Sequence, residues 1–443
     1  MQGVAKTIHI VGGGLAGSEC ALQLADRGHN VVLYEMRSAT MTPAHKTGLC
    51  AELVCSNSFG TLNPVSAPGQ LKWEAEQLGS HILKAAKDAA VPAGQALGID
   101  RALFAQAITD KIKAHPRITL DNKVIRSLND VPRPAVIATG PLTHPELAAD
   151  LQAHFGSRFL YFFDAIAPII DADTIDYEKV WRADRYDKGT PDYLNCPLSR
   201  DAYFKLMEEI KGARKIESKD FEKELEDTPY FEGCMPIEAM VERGDLTLAF
   251  GPMKPKGLKD PRTGREPFAV VQLRQENKEA TSYNMVGFQT KMAYGEQTRI
   301  FRMIPGLENA EFLKLGSIHR NLYIHTPNCL RKDLSSPKDP WLFFAGQITG
   351  VEGYFDSTVI GLLVARTLDQ KLRDLPLSMP PRASAMGSLL EAITEPKERF
   401  QPTNINFGLF PNIFERMPKD KKKERQIAAA REAFSAWLSG EGQ

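Results

Sequence analysis

Residues Thr7 to Arg37, TIHIVGGGLAGSECALQLADRGHNVVLYEMR, leave few folds open to this chain. Ile8, Ile10 and Val11 form the β-branched run of a buried parallel strand. Gly12, Gly14 and Gly17 follow in the order G-x-G-x-x-G, and residues 15–26 carry helix-type apolar spacing stopped by Arg27-Gly28. Val31 to Tyr34 reads as a second strand, closed by Glu35, 18 positions after Gly17. In a dinucleotide-binding βαβ unit an acid at about that distance accepts ribose hydroxyls. The glycines let the backbone approach a pyrophosphate whose charge meets the helix N-terminus. Gly13, Leu15, Ala16, Met36 and Arg37 join Gly12, Gly14, Gly17 and Glu35 as expected cofactor contacts. A glycine-rich connection in an ordinary α/β domain and an S-adenosylmethionine site are the alternatives; continuation of the motif to Gly17 favours the dinucleotide.

A chain of 443 residues is long enough for two or more cores. Lysine plus arginine equals aspartate plus glutamate, 55 each, so any polyanion partner must be held by a local patch rather than by a net field. The six cysteines, at 20, 50, 55, 196, 234 and 329, contain no C-x-x-C pair, and no histidine pair stands at zinc spacing. No metal is therefore expected. No signal peptide and no apolar run of membrane-spanning length is visible. The expectation is a cytoplasmic protein with its cysteines as thiols.

Residues 38–69 read as a long polar loop with two cysteines, a feature more often functional than idle. Gln70 to Ala90 and Asp100 to Ala114 predict helices, the second with Asp100 as N-cap. Ile118 to Leu120 and Ala135 to Ile137 predict strands, the latter running into Ala138-Thr139-Gly140, a turn suited to a flavin nucleotide. From about Phe159 the α/β rhythm is lost. Residues 199–228 suggest two charged helices, and 208–245 hold 12 acids against 6 bases. Residues 251–302 reverse this, with 10 bases against 5 acids, beginning in a loop carrying Lys254, Lys256, Lys259, Arg262 and Arg265. Such an island can grip phosphates, since each one neutralised releases a counterion; a solvated loop is the bland alternative. Residues 341–372 return to the strand, glycine turn and helix of residues 7–26. A strand from Leu342 to Ala345 is followed by Gly346, Gly350 and Gly353, then by a helix capped near Asp356. Gln347 and Val351 fall in that glycine loop. The helix end is placed to stabilise negative charge on a reduced flavin ring. The tail from Pro376 ends in a basic helix with Lys419, Lys421, Lys422 and Lys423.

Two cysteines have chemical settings. Cys234, in YFEGCMPIEAM, directly precedes a helix start at Pro236, where the dipole favours thiolate. Cys55, in LVCSNSF, is flanked by hydroxyl and amide side chains. Cys20 fits a small buried hydrophobe inside the first helix, and Cys50, Cys196 and Cys329 are read as structural.

These stretches, VGGGLAGSE, EMRSATMTPAHKTGLCAELVCSNSF, VIATGPLT, FEGCMPIE, YNMVGFQTKMAYGEQTRIFRMIPGLENAEFLKLGSIHRNLYI, FAGQITGVEGY and NFGLFP, run nearly end to end. Through them the chain resembles the folate- and FAD-dependent tRNA (uracil-5-)-methyltransferases, the TrmFO family, relatives of the GidA/MnmG flavoproteins. The resemblance implies an α/β fold. A Rossmann-like FAD-binding domain (1–165 and 301–375), of the GidA and glutathione-reductase kind, is interrupted by an α+β insertion domain (166–300) on the RNA side. A helical C-terminal tail (376–443) follows.

It also implies a chemistry. Reduced NAD(P)H reduces FAD, 5,10-methylenetetrahydrofolate passes its one-carbon unit to the flavin, and the carbon moves to uracil C5. Uracil C5 becomes nucleophilic only when a thiolate adds at C6, and a base must then remove the C5 proton. Cys234 is assigned as the nucleophile and Cys55 as the base, with the reverse assignment open. The target uridine must leave its stack, so Lys254, Lys256, Lys291 and Arg302 are candidate RNA contacts and Tyr354 packs near flavin or pterin. The RNA expected is tRNA, at its T-loop uridine, with a ribosomal RNA uridine as the alternative target. Two other classes need fewer residues: a plain flavin oxidoreductase, and an RNA-binding module in which FAD is structural.

Overall fold

In the computed structural model, residues 6–42, 44–156, 159–187, 190–216, 235–397, 400–415 and 417–440 are described. Five parallel strands form the first sheet, in the order Leu342–Phe344, Ala135–Ile137, Thr7–Val11, Asn30–Tyr34, Ile118–Asp121. The expected first βαβ unit is therefore its centre, with Ile10 opposite Leu33 and Val11 opposite Tyr34. Ile8, Ile10, Leu33, Val136, Ile137, Phe343 and Phe344 are almost wholly buried, as strands covered on both faces require. Each such side chain contributes about 1.5–3 kcal/mol on burial.

The helices Leu15–Asp26 and Tyr354–Leu372 pack so closely that a Cβ at Gly361 would stand 2.2 Å from the Ala16 carbonyl oxygen. Only glycine permits that approach, which brings the two glycine loops to one edge of the sheet. The helix Arg101–Ala114 begins as expected, Asp100 accepting the Leu103 N–H at 3.0 Å. The single helix expected over Gln70 to Ala90 is two, Ala67–Gln77 and His81–Asp88. Gly79 at φ +70° turns the chain, and the Ser80 hydroxyl accepts the Leu83 N–H to start the second. The polar stretch before it is not all loop, since Ser58–Thr61 is a strand paired with Ala96–Ile99.

The second layer is a six-stranded antiparallel sheet, ordered Trp181–Ala183, Tyr193–Leu198, Ala269–Gln275, Ser282–Met285, Ile169–Asp171, Phe312–Lys314. Its separate core includes Tyr203, Met285, Phe288, Phe301 and Leu307 and reaches Ala310, beyond the insertion boundary expected at 300. The two layers are joined by an antiparallel ribbon, Phe159–Ile166 against Ser317–Ile324. Of the two charged helices expected over 199–228, the first is Arg200–Gly212; residues 217–228, where the second is expected, lie outside the described residues.

The C-terminal tail returns to the first core. Glu74 accepts the N–H groups of Ala385 and Met386, at 2.7 and 2.8 Å, at the start of helix Ala385–Thr394. The basic helix Lys419–Gly440 is not merely a solvated face, because it buries Ile427, Ala430 and Phe434.

Candidate functional site

At the carboxyl edge of the parallel sheet lies a cleft of about 1000 Å³, where open α/β sheets place their ligands. Gly12, Gly14, Leu15 and Ala16 line it from the first loop; Glu35, Met36 and Arg37 from the end of the second strand. Gly140 closes the third side, and Gly346, Gln347 and Tyr354 the fourth. The other expected cofactor residues stand behind this lining. A Cβ on Gly17 would lie 1.9 Å from the Gly12 carbonyl oxygen, so Gly17 lets the helix seat against the turn. Gly13 donates its N–H to Glu35 Oε2 at 2.8 Å. Gly350 sits under the Phe400 ring, and the buried Val351 bridges to Thr403, so both face the C-terminal segment. The expected helix cap at Asp356 is displaced as well. The helix starts at Tyr354 without a side-chain cap, and Asp356, within its first turn, accepts the Ile405 N–H at 2.7 Å.

The residues fit a dinucleotide. Gly12, at φ +104°, crosses so near Ala138 that a Cβ would meet its carbonyl oxygen at 2.5 Å, whereas Gly14 has nothing within 4 Å and leaves its backbone open. The helix beginning at Leu15 carries no side-chain cap and no acid in its first turn, the condition for receiving a pyrophosphate. Arg37 is 3% exposed, and its Nη1 has no hydrogen-bond partner, only an ion pair with Glu52 at 3.8 Å, so a buried donor remains at the cleft wall. Glu35 is more engaged than its spacing suggested. Its Oε1 accepts Arg37 N–H and Nε–H at 2.9 and 2.8 Å, and its Oε2 accepts Gly13 N–H and Arg37 Nη2–H at 2.8 and 2.9 Å. Ion pairing with Arg37 holds the Glu35 carboxyl below the ordinary range despite the opposing effect of burial. Nearby, burial and the Arg37 charge push the His45 imidazole down to about 4, so it lines the cleft as a neutral ring.

The loop bearing Cys55 is held from three directions. The Tyr354 hydroxyl oxygen accepts the N–H groups of Cys55 and Ser56 at 2.6 and 3.1 Å. Arg101 donates to the Leu53 and Cys55 carbonyls at 2.8 and 3.4 Å while its Nε contacts Glu276 Oε2 at 2.6 Å. Lys314 Nζ donates to the Val54 carbonyl at 3.1 Å. Arg274 reaches Asn57 Oδ1 at 2.8 Å and Ser56 Oγ at 3.2 Å. Asn57 in turn donates to the carbonyls of Ile99 and Gln275, one in each layer. The CSNSF segment is thus a second tie between the two layers, beside the antiparallel ribbon. Sequence reasoning found Cys55 and Tyr354 but missed Arg101, Arg274, Glu276 and Lys314. The one signal available was Lys314 itself, a lone cation in the FLKLG run.

Cys55 is partly exposed, whereas Cys20 and Cys196 are wholly buried and their thiols pushed up by burial. Burial raises Cys50 to about 11, in keeping with its structural reading. Cys234 lies outside the described residues. The segment just after it is anchored: Ile237 N–H meets the Gln289 carbonyl at 2.8 Å, and Glu238 accepts the Thr290 hydroxyl and the Met292 N–H.

The four candidate RNA contacts all lie in the second layer and outside the cleft lining. Lys254 and Lys256 are exposed, their carbonyls turned onto the Arg185 guanidinium. Lys291 is half-buried, its N–H at 3.4 Å from Glu238 Oε2. Arg302 spends its Nε and Nη2 on the Ala310 carbonyl, at 3.0 and 2.9 Å, and Arg262 is paired with Asp260. The basic island is therefore smaller in the fold than along the chain. Among the described residues no cluster of three or more His, Cys, Asp or Glu could hold a metal, and no helix is long and apolar enough to cross a membrane.

A parallel sheet with a glycine turn, an acid closing its second strand and a cleft at its carboxyl edge defines a dinucleotide-binding protein of the FAD class. The family model described as "Glucose inhibited division protein A" matches residues 7–376. The solved structure of Aquifex aeolicus GidA superposes with a TM-score of 0.67 at 15% identity, covering 97% of this chain and 73% of that one. Closer in sequence are proteins bearing the name methylenetetrahydrofolate–tRNA-(uracil-5-)-methyltransferase TrmFO. The one from Bdellovibrio bacteriovorus is 68% identical over 435 residues, 98% of each chain, and that from Aquifex aeolicus is 49% identical over 98% of this chain and 96% of its own. The chain belongs to the TrmFO family.

Proposed function

We propose that this protein methylates C5 of a uridine in tRNA, the T-loop uridine, taking the carbon from 5,10-methylenetetrahydrofolate with FAD in the cleft and NAD(P)H as reductant. The observation that carries the reading is the Cys55 loop fastened to Tyr354, which puts a partly exposed cysteine loop beside a dinucleotide-shaped cleft. The backbone from Gly12 to Ala16 and the Nη1 of Arg37, which makes no hydrogen bond within the protein, would hold the pyrophosphate and adenosine portions, and the helix end at Tyr354 would face the ring. When bound, the flavin supplies the site for the one-carbon unit and the reducing equivalents.

The protein's own residues handle the pyrimidine. The Cys234 thiolate forms a bond to C6, which loads electron density onto C5. Once C5 carries the new carbon, Cys55 takes the C5 proton; after the reducing equivalents have brought that carbon to methyl, the C6–S bond breaks, returning the electron pair to Cys234. Exposed Lys254 and Lys256 meet phosphates on the approach.

The test is nucleoside analysis after incubating unmodified tRNA with folate donor and reductant. Cys234→Ala and Cys55→Ala should each remain yellow with bound flavin and form no 5-methyluridine. Full turnover in either variant would reject that cysteine's role, and product formed without the folate would reject the reaction.

A further inference from the structure

A second cavity, of about 600 Å³, lies where the Cys55 loop meets both layers. Its wall includes Lys46 and Glu52 from the loop, Arg101 and Ala102 from the helix after Asp100, and Ile169 and Lys314 from the second sheet. Glu52 and Val54 line this cavity and the dinucleotide cleft alike, so one stretch of loop separates the two.

The charges in its wall do not balance. Arg101 has its own partner, Glu276, which is 5% exposed. Glu52 is occupied by its own loop, accepting the N–H groups of Lys46 and Thr47 at 2.8 and 3.0 Å and the Thr47 hydroxyl at 2.6 Å, and it pairs with Arg37 Nη1 at 3.8 Å. Among the described residues, neither Lys46 nor Lys314 forms an ion pair. Lys314, half-buried, uses one of its three donors on the Val54 carbonyl. An ammonium drawn into a wall beside a second lysine and an arginine, with Glu52 in the same wall but no described carboxylate at ion-pair distance, is costly unless an anion completes the group. Burial first, then Arg101 and Lys46, pull the Lys314 amine down to about 8, outweighing the opposing effects of Cys55 and Glu52, as expected of a half-buried cation in a net positive wall.

We infer that this inter-layer cavity is an oxyanion subsite, in which Lys314 and Lys46 receive a carboxylate or phosphate oxygen of a substrate whose reacting part occupies the neighbouring cleft. The inference rests on the function proposed above for its two substrate sources. These are the glutamyl carboxylates of the reduced folate and a phosphodiester of the RNA.

The experiment measures equilibrium binding to flavin-loaded protein by calorimetry. The ligands are tetrahydrofolate with one or with three glutamates, and a T-arm RNA hairpin. Lys314→Met should weaken at least one ligand about tenfold and flatten its salt dependence, with Lys314→Arg staying within about twofold of wild type. Loss confined to folate, larger with three glutamates, identifies the carboxylate; loss confined to the hairpin identifies the phosphate. Lys46→Met, on an exposed side chain, should weaken the same ligand and serves if Lys314→Met does not retain its flavin. Unchanged binding of both ligands in the folded variants overturns the subsite. Binding, not turnover, is read, so idle cysteines would sink the proposed reaction while leaving a binding loss at Lys314 intact.

Discussion

Tyr354 and Cys55 stand 299 positions apart in the chain, yet the Tyr354 hydroxyl oxygen lies 2.6 Å from the Cys55 backbone nitrogen and accepts its proton. One residue opens the long helix of the second glycine loop; the other closes the polar loop after the first. Their contact joins the two halves of the cleft, and this hydrogen bond is made to the backbone rather than to the thiol.

Tyr354→Phe therefore removes the acceptor shared by Cys55 and Ser56 and leaves two N–H groups without it. The expected loss of stability is about 1–3 kcal/mol. Turnover should fall more than flavin content, because the loop rather than the sheet is loosened. Thermal melts and the flavin absorbance of the purified variant check this, and equal activity would show that the loop needs no such anchor.

Gly17 and Gly14 should respond differently to alanine. At Gly17 the new methyl would meet the Gly12 carbonyl, so Gly17→Ala should destabilise the fold by roughly 1–3 kcal/mol or more and yield colourless protein. At Gly14 the methyl meets nothing in the protein and enters the cleft, so Gly14→Ala should melt like wild type but bind FAD weakly. Flavin titration of both proteins separates packing from ligand exclusion.

His45 makes acid stability a readout of the cleft. Its imidazole is held at about 4, below the ordinary 6.5, by burial and then by Arg37. The unfolded chain thus binds a proton between those values that the folded chain refuses. The contribution is complete above pH 6.5 and is lost as pH falls towards 4, up to about 3 kcal/mol. The melting temperature of wild type should drop across that window, and His45→Gln should flatten the drop; parallel curves would assign the acid sensitivity elsewhere.

Glu238 follows Cys234 by four residues and ties the described chain just after that cysteine to Thr290 and Met292. Glu238→Ala leaves a buried hydroxyl and N–H groups without their acceptor. The expected outcome is normal flavin loading with kcat at least tenfold lower, read by steady-state kinetics. Unaltered kcat would detach Glu238 from the reacting segment.

The first βαβ unit was legible from residues 7–37 because every local signal in it agrees: strand run, glycine turn, helix spacing and a terminal acid. The same held for the Asp100 cap and for Ala135–Ile137, whose partners lie within a few turns of chain or whose apolar runs admit one role. The Gln70–Ala90 stretch misled because a glycine turn within a helix-like pattern leaves the hydrophobic period nearly intact.

What the sequence by itself determined is the identity of the parts: a dinucleotide turn, two glycine loops and a cysteine in a polar loop. Their spatial relations belong to the tertiary structure alone. Arg101, Arg274 and Glu276 are unremarkable in their local sequence, and Arg302 looks like a free cation until the Ala310 carbonyl is found against it. A side chain's partners across hundreds of residues are set by how sheets and helices pack, and periodicity carries no information about that. Hence the chain announces its cofactor loop, while only folding shows which cations steady the Cys55 loop and which are left to meet an anion.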